Sequence, residues 1–482
     1  MKLRPLSASL ISVAALAAAL TTIPVGAASS CRPLGRAPRF APQRYIDTER
    51  AGGEPTVETH PDGTLIYTAH AGTTHVFLPA AADEDSAAFF QHYTGQTYIW
   101  NSYDDGKTWE FVPRTVPPSG VPMSGFSDPE IAIDTAGNVY ESEINLVNVA
   151  ISKAADMDRP RPHNEYTLQN FFAQTMTDRQ WTEADQENVV YIVGNAFAGG
   201  TFPTDPVGNI GHHLYKSKDG GRTFSPGVSD PGGLGDLQVD KRDGTLYEAN
   251  LSSDPGPGDK LSMAAFRNIR NDDFTRELNT IATGVDMNDT AHWPSFDVDE
   301  KGNLYMIWSE DGGGARGGGI WYSYSTDRGR TWAAPILVDP DDDGTDIWPW
   351  LAVGSPRRVA IAWLEADRQL PDNNSEEAGD AAWRVETAVT LNGLGCRQSA
   401  EPGFRKAVAT PDPVHRGTIC NQGTVCQAQL IDRRMGDFFT IEIDETGMMW
   451  AGYSDTRQGG MVALPGFVQQ NSGPRLIVQG RR

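Results

Sequence analysis

Residues 292–310 read HWPSFDVDEKGNLYMIWSE. The stretch is a hairpin written in one dimension. A short run of alternating polar and apolar residues leads into a turn containing Gly302 and Asn303, and a second run ends in aromatics. Six further stretches repeat the pattern: 54–71 (EPTVETHPDGTLIYTAHA), 128–145 (DPEIAIDTAGNVYESEIN), 178–196 (DRQWTEADQENVVYIVGNA), 236–250 (DLQVDKRDGTLYEAN), 347–365 (IWPWLAVGSPRRVAIAWLE) and 437–455 (DFFTIEIDETGMMWAGYSD). Gly63, Gly137, Gly244, Gly302 and Gly447 recur at the turn, where a positive φ is needed. The copies at 178 and 347 lack that glycine.

Neighbouring starts are mostly about 50–60 residues apart, room for a four-stranded sheet with its loops. The longer intervals predict insertions at 80–92, 370–380 and 391–434. A chain of such repeats cannot leave its outermost strand edges open to solvent, so a closed ring is expected. The reading is an all-β protein, a β-propeller of seven blades, with six blades and one displaced hairpin as the alternative. The last copy supplies three strands, and residues 39–46 are expected to add the fourth and so close the ring. Removing residues 32–48 should then unfold the protein or make it aggregate.

A second pattern sits in alternate copies: SYDDGKTW (102–109), SKDGGRTF (217–224) and STDRGRTW (325–332). In each, the aspartate (Asp104, Asp219, Asp327) can accept bonds from N–H groups of its own turn, and glycine allows the reversal. The aromatic (Trp109, Phe224, Trp332) is placed to pack between sheets. These residues read as structural. The region 268–275 is an eroded equivalent.

The SxDxGxTW pattern resembles the Asp-box, or BNR repeat, of the sialidase-like propellers. GTICNQGTVC (417–426) followed by DRRMGDFF (432–439) is similar to secreted bacterial members of that superfamily. The resemblance implies a secreted propeller that acts on or recognises extracellular glycans, a sialidase-like exoglycosidase if catalytic. A non-catalytic glycan- or protein-binding propeller is the alternative. Catalytic sialidases share an early Arg-Ile-Pro motif, an arginine triad, an Asp acid/base and a Tyr nucleophile paired with Glu. Here Arg36-Ala37-Pro38 does not match the first, while Arg179, Arg434 and Arg457 are available for a carboxylate grip.

In a ring, equivalent positions lie on a circle, so the copy starts should meet around one mouth. They are Glu54, Asp128, Asp178, Asp236, His292, Asp346 and Asp437. Asp128, Asp178, Asp236 and Asp437 are the candidate catalytic residues; two carboxylates at suitable separation can serve as acid and base on a glycosidic bond. Arg179, His292, Trp293 and Arg434 are the candidate substrate-binding residues. Trp181, Trp348 and Trp350 lie beside them, either as stacking faces for sugar rings or as core between blades. The same carboxylates could instead hold a cation, or cap neighbouring strands. Arg433, Arg434 and Asp437 also invite a plainer reading, a loop anchored by the nearby cysteines.

Asp339, Asp341 and Asp343 begin a DxDxDG calcium-loop pattern, so Ca²⁺ is the cofactor considered, although position twelve is Trp350 rather than Glu. His212-His213 and the pair His70 and His75 offer imidazoles without a matching carboxylate spacing. Four cysteines, Cys31, Cys396, Cys420 and Cys426, allow two disulfides, with Cys420–Cys426 and Cys31–Cys396 the favoured pairing among three connectivities. Residues 1–27 read as a signal peptide with a basic start, an apolar run at 10–20 and small residues before a cleavage point, leaving 28–482 as one propeller domain. Ala28 stands where a lipoprotein signal wants a large aliphatic residue, which argues against a lipid anchor on Cys31. The net charge is −23. Acidity of that size excludes a nucleic-acid footprint and suits a monomer outside the cell, with a glycan or glycoconjugate as partner and no transmembrane segment.

Overall fold

The computed structural model describes residues 34–70, 75–80, 97–112, 127–145, 148–154, 166–172, 177–196, 211–253, 258–287, 292, 294–311, 315–340, 344–371, 374–396, 401–458 and 460–478. They form seven antiparallel sheets of four or five strands. The innermost strands are Gly53–Thr59, Ser127–Ile133, Thr177–Ala184, Gly233–Asp240, Pro294–Val298, Asp346–Val353 and Thr440–Ile443. Each contacts the next, and the last contacts the first, so the sheets are blades of a closed seven-bladed propeller. All seven copies read from the sequence are the first two strands of a blade.

Closure is made by the N-terminal segment. Arg39–Phe40 and Arg44–Tyr45 both pair with Leu464–Ser472, the third strand of the last blade. The blade thus joins the two ends of the chain and leaves no seam in the ring.

The turn between the first two strands explains its own sequence. Asp134 Oδ1 accepts the N–H groups of Ala136 and Asn138, while its Oδ2 accepts the Asn138 amide and the Tyr140 hydroxyl. Asp299 repeats all four bonds with Lys301, Asn303 and Tyr305. One aspartate therefore satisfies the turn and pins the aromatic of the following strand, which is why the pattern DxxGNxY recurs.

Adjacent blades are held by apolar clusters that each draw on both. Tyr305 and Ile307 of the fifth blade meet Leu351, Ile361 and Trp363 of the sixth. Tyr67 and Trp100 of the first meet Trp450 and Phe467 of the seventh. Burying one large aromatic in such a cluster contributes roughly 2–3 kcal/mol.

The SxDxGxT turns join third to fourth strands. Thr108, Thr223 and Thr331 each donate a backbone N–H and a hydroxyl to Asp104, Asp219 and Asp327, at 2.6–2.9 Å. The glycine N–H bonds the serine hydroxyl in all three. Each turn's aromatic reaches the preceding blade: Trp109 touches Trp450 and Phe467, Phe224 lies against the Tyr140 cluster, and Trp332 against the Tyr247 cluster.

The insertion at 391–434 contains the outer strand Arg405–Val408, a short pairing at His415–Arg416 and a one-and-a-half-turn helix, Thr424–Gln429. Cys420 and Cys426 are disulfide-bonded around its start. Cys396 is also disulfide-bonded, and its expected partner Cys31 lies outside the described residues, as does the signal segment. Among the described residues no helix is long and apolar enough to cross a membrane.

Candidate functional site

Strands alternate in direction, so inner-strand starts and second-strand ends share one face, while the SxDxGxT turns lie on the other. On the first face the chain does something the repeat pattern does not announce. Glu54, Asp128, Arg179, Asp236 and Trp348 all have φ between 46° and 55°. Each sits at a break in register with the neighbouring strand, between residues 53 and 56, 127 and 130, 178 and 181, 235 and 237, and 347 and 350. Left-handed backbone costs non-glycine residues about 1–3 kcal/mol each, and a bulge re-aims a side chain. Five blades accept that cost at the same place, turning these five residues away from the regular pleat.

Asp128, Arg179, Gln180, Trp181, Asp437 and Phe438 line one pocket at the mouth, with Glu130 behind them. Asp128 accepts the Ser127 hydroxyl at 2.6 Å, and its carbonyl receives the Gln180 amide. Asp437 is gripped by both terminal nitrogens of Arg433 at 2.6 and 2.7 Å. Burial alone would lower the Arg433 pKa, but Asp437 and Glu54 outweigh it and raise it. Beside this pair, Glu54 is fully buried between two imidazoles. His70 Nε2 is 2.7 Å from one carboxylate oxygen and His75 Nε2 is 3.0 Å from the other. Burial works against charge on both partners: it opposes the Glu54 carboxylate, and it pushes His75 down to about 4.

Beneath the mouth, Trp181 crosses the axis. Its ring stacks on Trp350 at 5.5 Å, meets Phe438 at 5.4 Å and lies over Gly235, where any Cβ would overlap it. Below this aromatic plug lies an axial cavity of about 300 Å³, lined by Trp350 and, like the mouth pocket, by Glu130. Glu58, Glu130, Glu183, Asp236, Asp297 and Glu442 line that cavity with Lys241. Burial raises the carboxyls, Glu183 and Asp297 to about 7 and Asp236 and Glu442 to about 8. Lys241 stands 3.7 Å from Glu183 and donates to the Ile133 carbonyl.

The structure thus gathers Asp128, Arg179 and Asp437 from among the sequence candidates. Asp236 points below the plug, where the Phe296 N–H bonds it at 2.9 Å. Asp178 is paired opposite Asn195 in its strand, and its side chain lies outside the described residues. His292 is buried against the Ser309 hydroxyl, and Trp293 is outside the described residues. Arg434 is committed to Asp432 and the Gly460 carbonyl, with its guanidinium over Phe77; its neighbour Arg433 is the arginine that enters the mouth cluster. Arg457 is held by Asp455, so Arg179, Arg434 and Arg457 do not form a shared grip. Trp348 is 2% exposed, inside the core. Asp339 pairs with Lys406, while Asp341 and Asp343 lie outside the described residues.

Sequence reading missed the Glu54–His70–His75 cluster, because it looked for a carboxylate at a regular spacing from the histidines. The available signal was topological. Glu54 starts an inner strand and His70 ends the strand paired with it, so the two must share a face.

No family model and no curated protein matches the chain. Among solved structures, a protein of unknown function from Dyadobacter fermentans aligns over 92% of this chain and 100% of its own at 13% identity and a TM-score of 0.41. The NanB sialidase of Streptococcus pneumoniae (a K499G mutant) aligns over 91% and 71% at 12% identity and 0.41. An α-L-arabinanase of Penicillium chrysogenum complexed with arabinobiose aligns over 74% and 98% at 15% identity and 0.41.

Proposed function

We propose that this is an exported propeller of the sialidase-like, Asp-box kind whose mouth recognises extracellular saccharides. The observation that carries the reading is the convergence of Asp128, Arg179 and Asp437 on one small pocket, about 10 Å³ in volume and lined also by Trp181 and Phe438, into which a sugar hydroxyl rather than a whole ring could reach. A sugar needs both halves of that arrangement. Its hydroxyls bond charged planar groups, and its C–H face lies on an aromatic ring. The acidic charge and the disulfide suit work outside the cell.

Recognition without turnover is favoured over sialidase chemistry. A sialidase grips the substrate carboxylate with convergent arginines, and here Arg433 is spent on Asp437 while Arg434 and Arg457 are engaged elsewhere. A hydrolase reading rests on Asp128 and Asp437 sharing the pocket as an acid and base.

A glycan array together with a panel of aryl glycosides tests both. Wild type should retain a defined glycan class, Arg179→Ala should weaken that binding at least ~10-fold, the size of one lost charge-assisted contact, and Asp327→Asn should leave it unchanged. Turnover that disappears in Asp128→Asn and Asp437→Asn would establish the hydrolase instead. No retained glycan, or equal retention by Arg179→Ala, would remove the mouth from consideration.

A further inference from the structure

We propose that Glu54, His70 and His75 form a binding site for a divalent transition ion of the zinc class. Their ligand atoms lie within 4.8 Å of one another and all three residues are buried. They come from three parts of the first blade: the bulge that opens its inner strand, the end of the paired strand, and the turn beyond it. The chain accepts a left-handed φ of 46° at Glu54 to aim its carboxylate at the two rings.

The surroundings are shaped around that carboxylate. Gly436, at φ 81°, lies against it so closely that a Cβ would overlap Glu54 Cγ. A buried carboxylate calls for a compensating cation. The neighbouring guanidinium supplies it only in part, because Arg433 is bound bidentately to Asp437 and reaches Glu54 at 3.8 Å.

The donor set decides the ion. Two imidazole nitrogens and one carboxylate suit zinc and its first-row neighbours, whereas calcium and magnesium prefer oxygen throughout. The present 2.7 and 3.0 Å separations are hydrogen-bond lengths. Donors at about 2.0–2.1 Å from a tetrahedral ion stand roughly 3.3 Å apart. Binding therefore needs the donors to part by a few tenths of an ångström, with each imidazole proton held on Nδ1.

The test uses the full mature chain without a tag, stripped with a chelator and dialysed against zinc, then against calcium, with no sugar present. Its outcome is therefore separate from that of the saccharide reading. Elemental analysis should find one zinc per chain, zinc and not calcium should raise Tm, and cobalt(II) should give the visible absorption of a four-coordinate site. His75→Ala and Glu54→Gln should each weaken zinc binding at least ~10-fold, as loss of even an outer partner of a metal ligand does, while His213→Ala should not. Zinc at background level in the wild type, or full affinity in both variants, overturns the assignment. If neither variant folds, the wild-type Tm decides: a rise with zinc alone supports the site, and no rise overturns it.

Discussion

The two faces of the propeller spend their acidic residues in opposite ways. On the face of the SxDxGxT turns, the side chains of Asp104, Asp219 and Asp327 bond, among the described residues, to partners two to four positions away. On the other face, Glu54 reaches His70 and His75 and lies beside Arg433 from the far end of the chain, and Asp236, below the plug, takes its bond from the next blade. The first kind of acid builds a turn and asks nothing of the ring. The second depends on strands packing together, within a blade, between neighbouring blades or, for Glu54 and Arg433, across the closure of the ring. Their titration differs accordingly: hydrogen bonds within the turn hold Asp104, Asp219 and Asp327 low despite desolvation, while burial drives Glu183, Asp236, Asp297 and Glu442 up.

The contrast can be broken most severely at the closure. Deleting residues 34–46 removes both strands that pair with Leu464–Ser472 and bares an edge in the last blade. Loss of a cooperative melt and aggregation on size-exclusion chromatography are expected; a stable monomer would show that the ring holds without it.

Arg433→Met comes next. It leaves Asp437 and the buried Glu54 without their guanidinium, a change that costs about 3–5 kcal/mol for a buried pair. Urea denaturation should show that loss, whereas Arg434→Met, which leaves no fully buried carboxylate such as Glu54 uncompensated, should lose less.

pH separates the two groups by sign. The axial carboxyls are raised, so the folded state holds their protons more tightly than the unfolded one. Their contribution to stability is full below the unfolded value of about 4 and is lost as pH rises through 7–8. Tm should therefore fall as pH is raised across that window, and Glu442→Gln should flatten the slope. The lowered aspartates of the SxDxGxT turns act in the opposite sense and only in strong acid, where protonation removes what they contribute.

The smallest effect is expected from Asp327→Ala, which forfeits the two Thr331 bonds of one turn. By analogy with loss of a capping side chain it should cost about 1 kcal/mol, visible as a small Tm shift with mouth ligands bound as before.

How much of this was legible beforehand follows from the range of each interaction. The seven first hairpins were readable from their repeated strand–turn–strand alternation, and several also from a turn that an aspartate satisfies within six residues, as Asp134 does with Tyr140. The copy starts were also readable as a circle. What they would do there was not. Arg433 and Arg434 look alike in the chain, yet one grips Asp437 in the mouth and the other turns to Asp432 and Phe77. Trp181 and Trp350 come from different blades, and only closure stacks them into a plug. The five bulges left no trace in composition, since Glu, Asp, Arg and Trp all occupy them.

The sequence alone determined the repeat and the turn chemistry and favoured seven copies over six, because those rest on bonds and periodicities a few residues long. The tertiary structure decided which charged residues meet. Glu54 and Arg433 stand almost a whole chain apart, and their separation in space is set by seven blades closing on an N-terminal strand rather than by anything local to either residue.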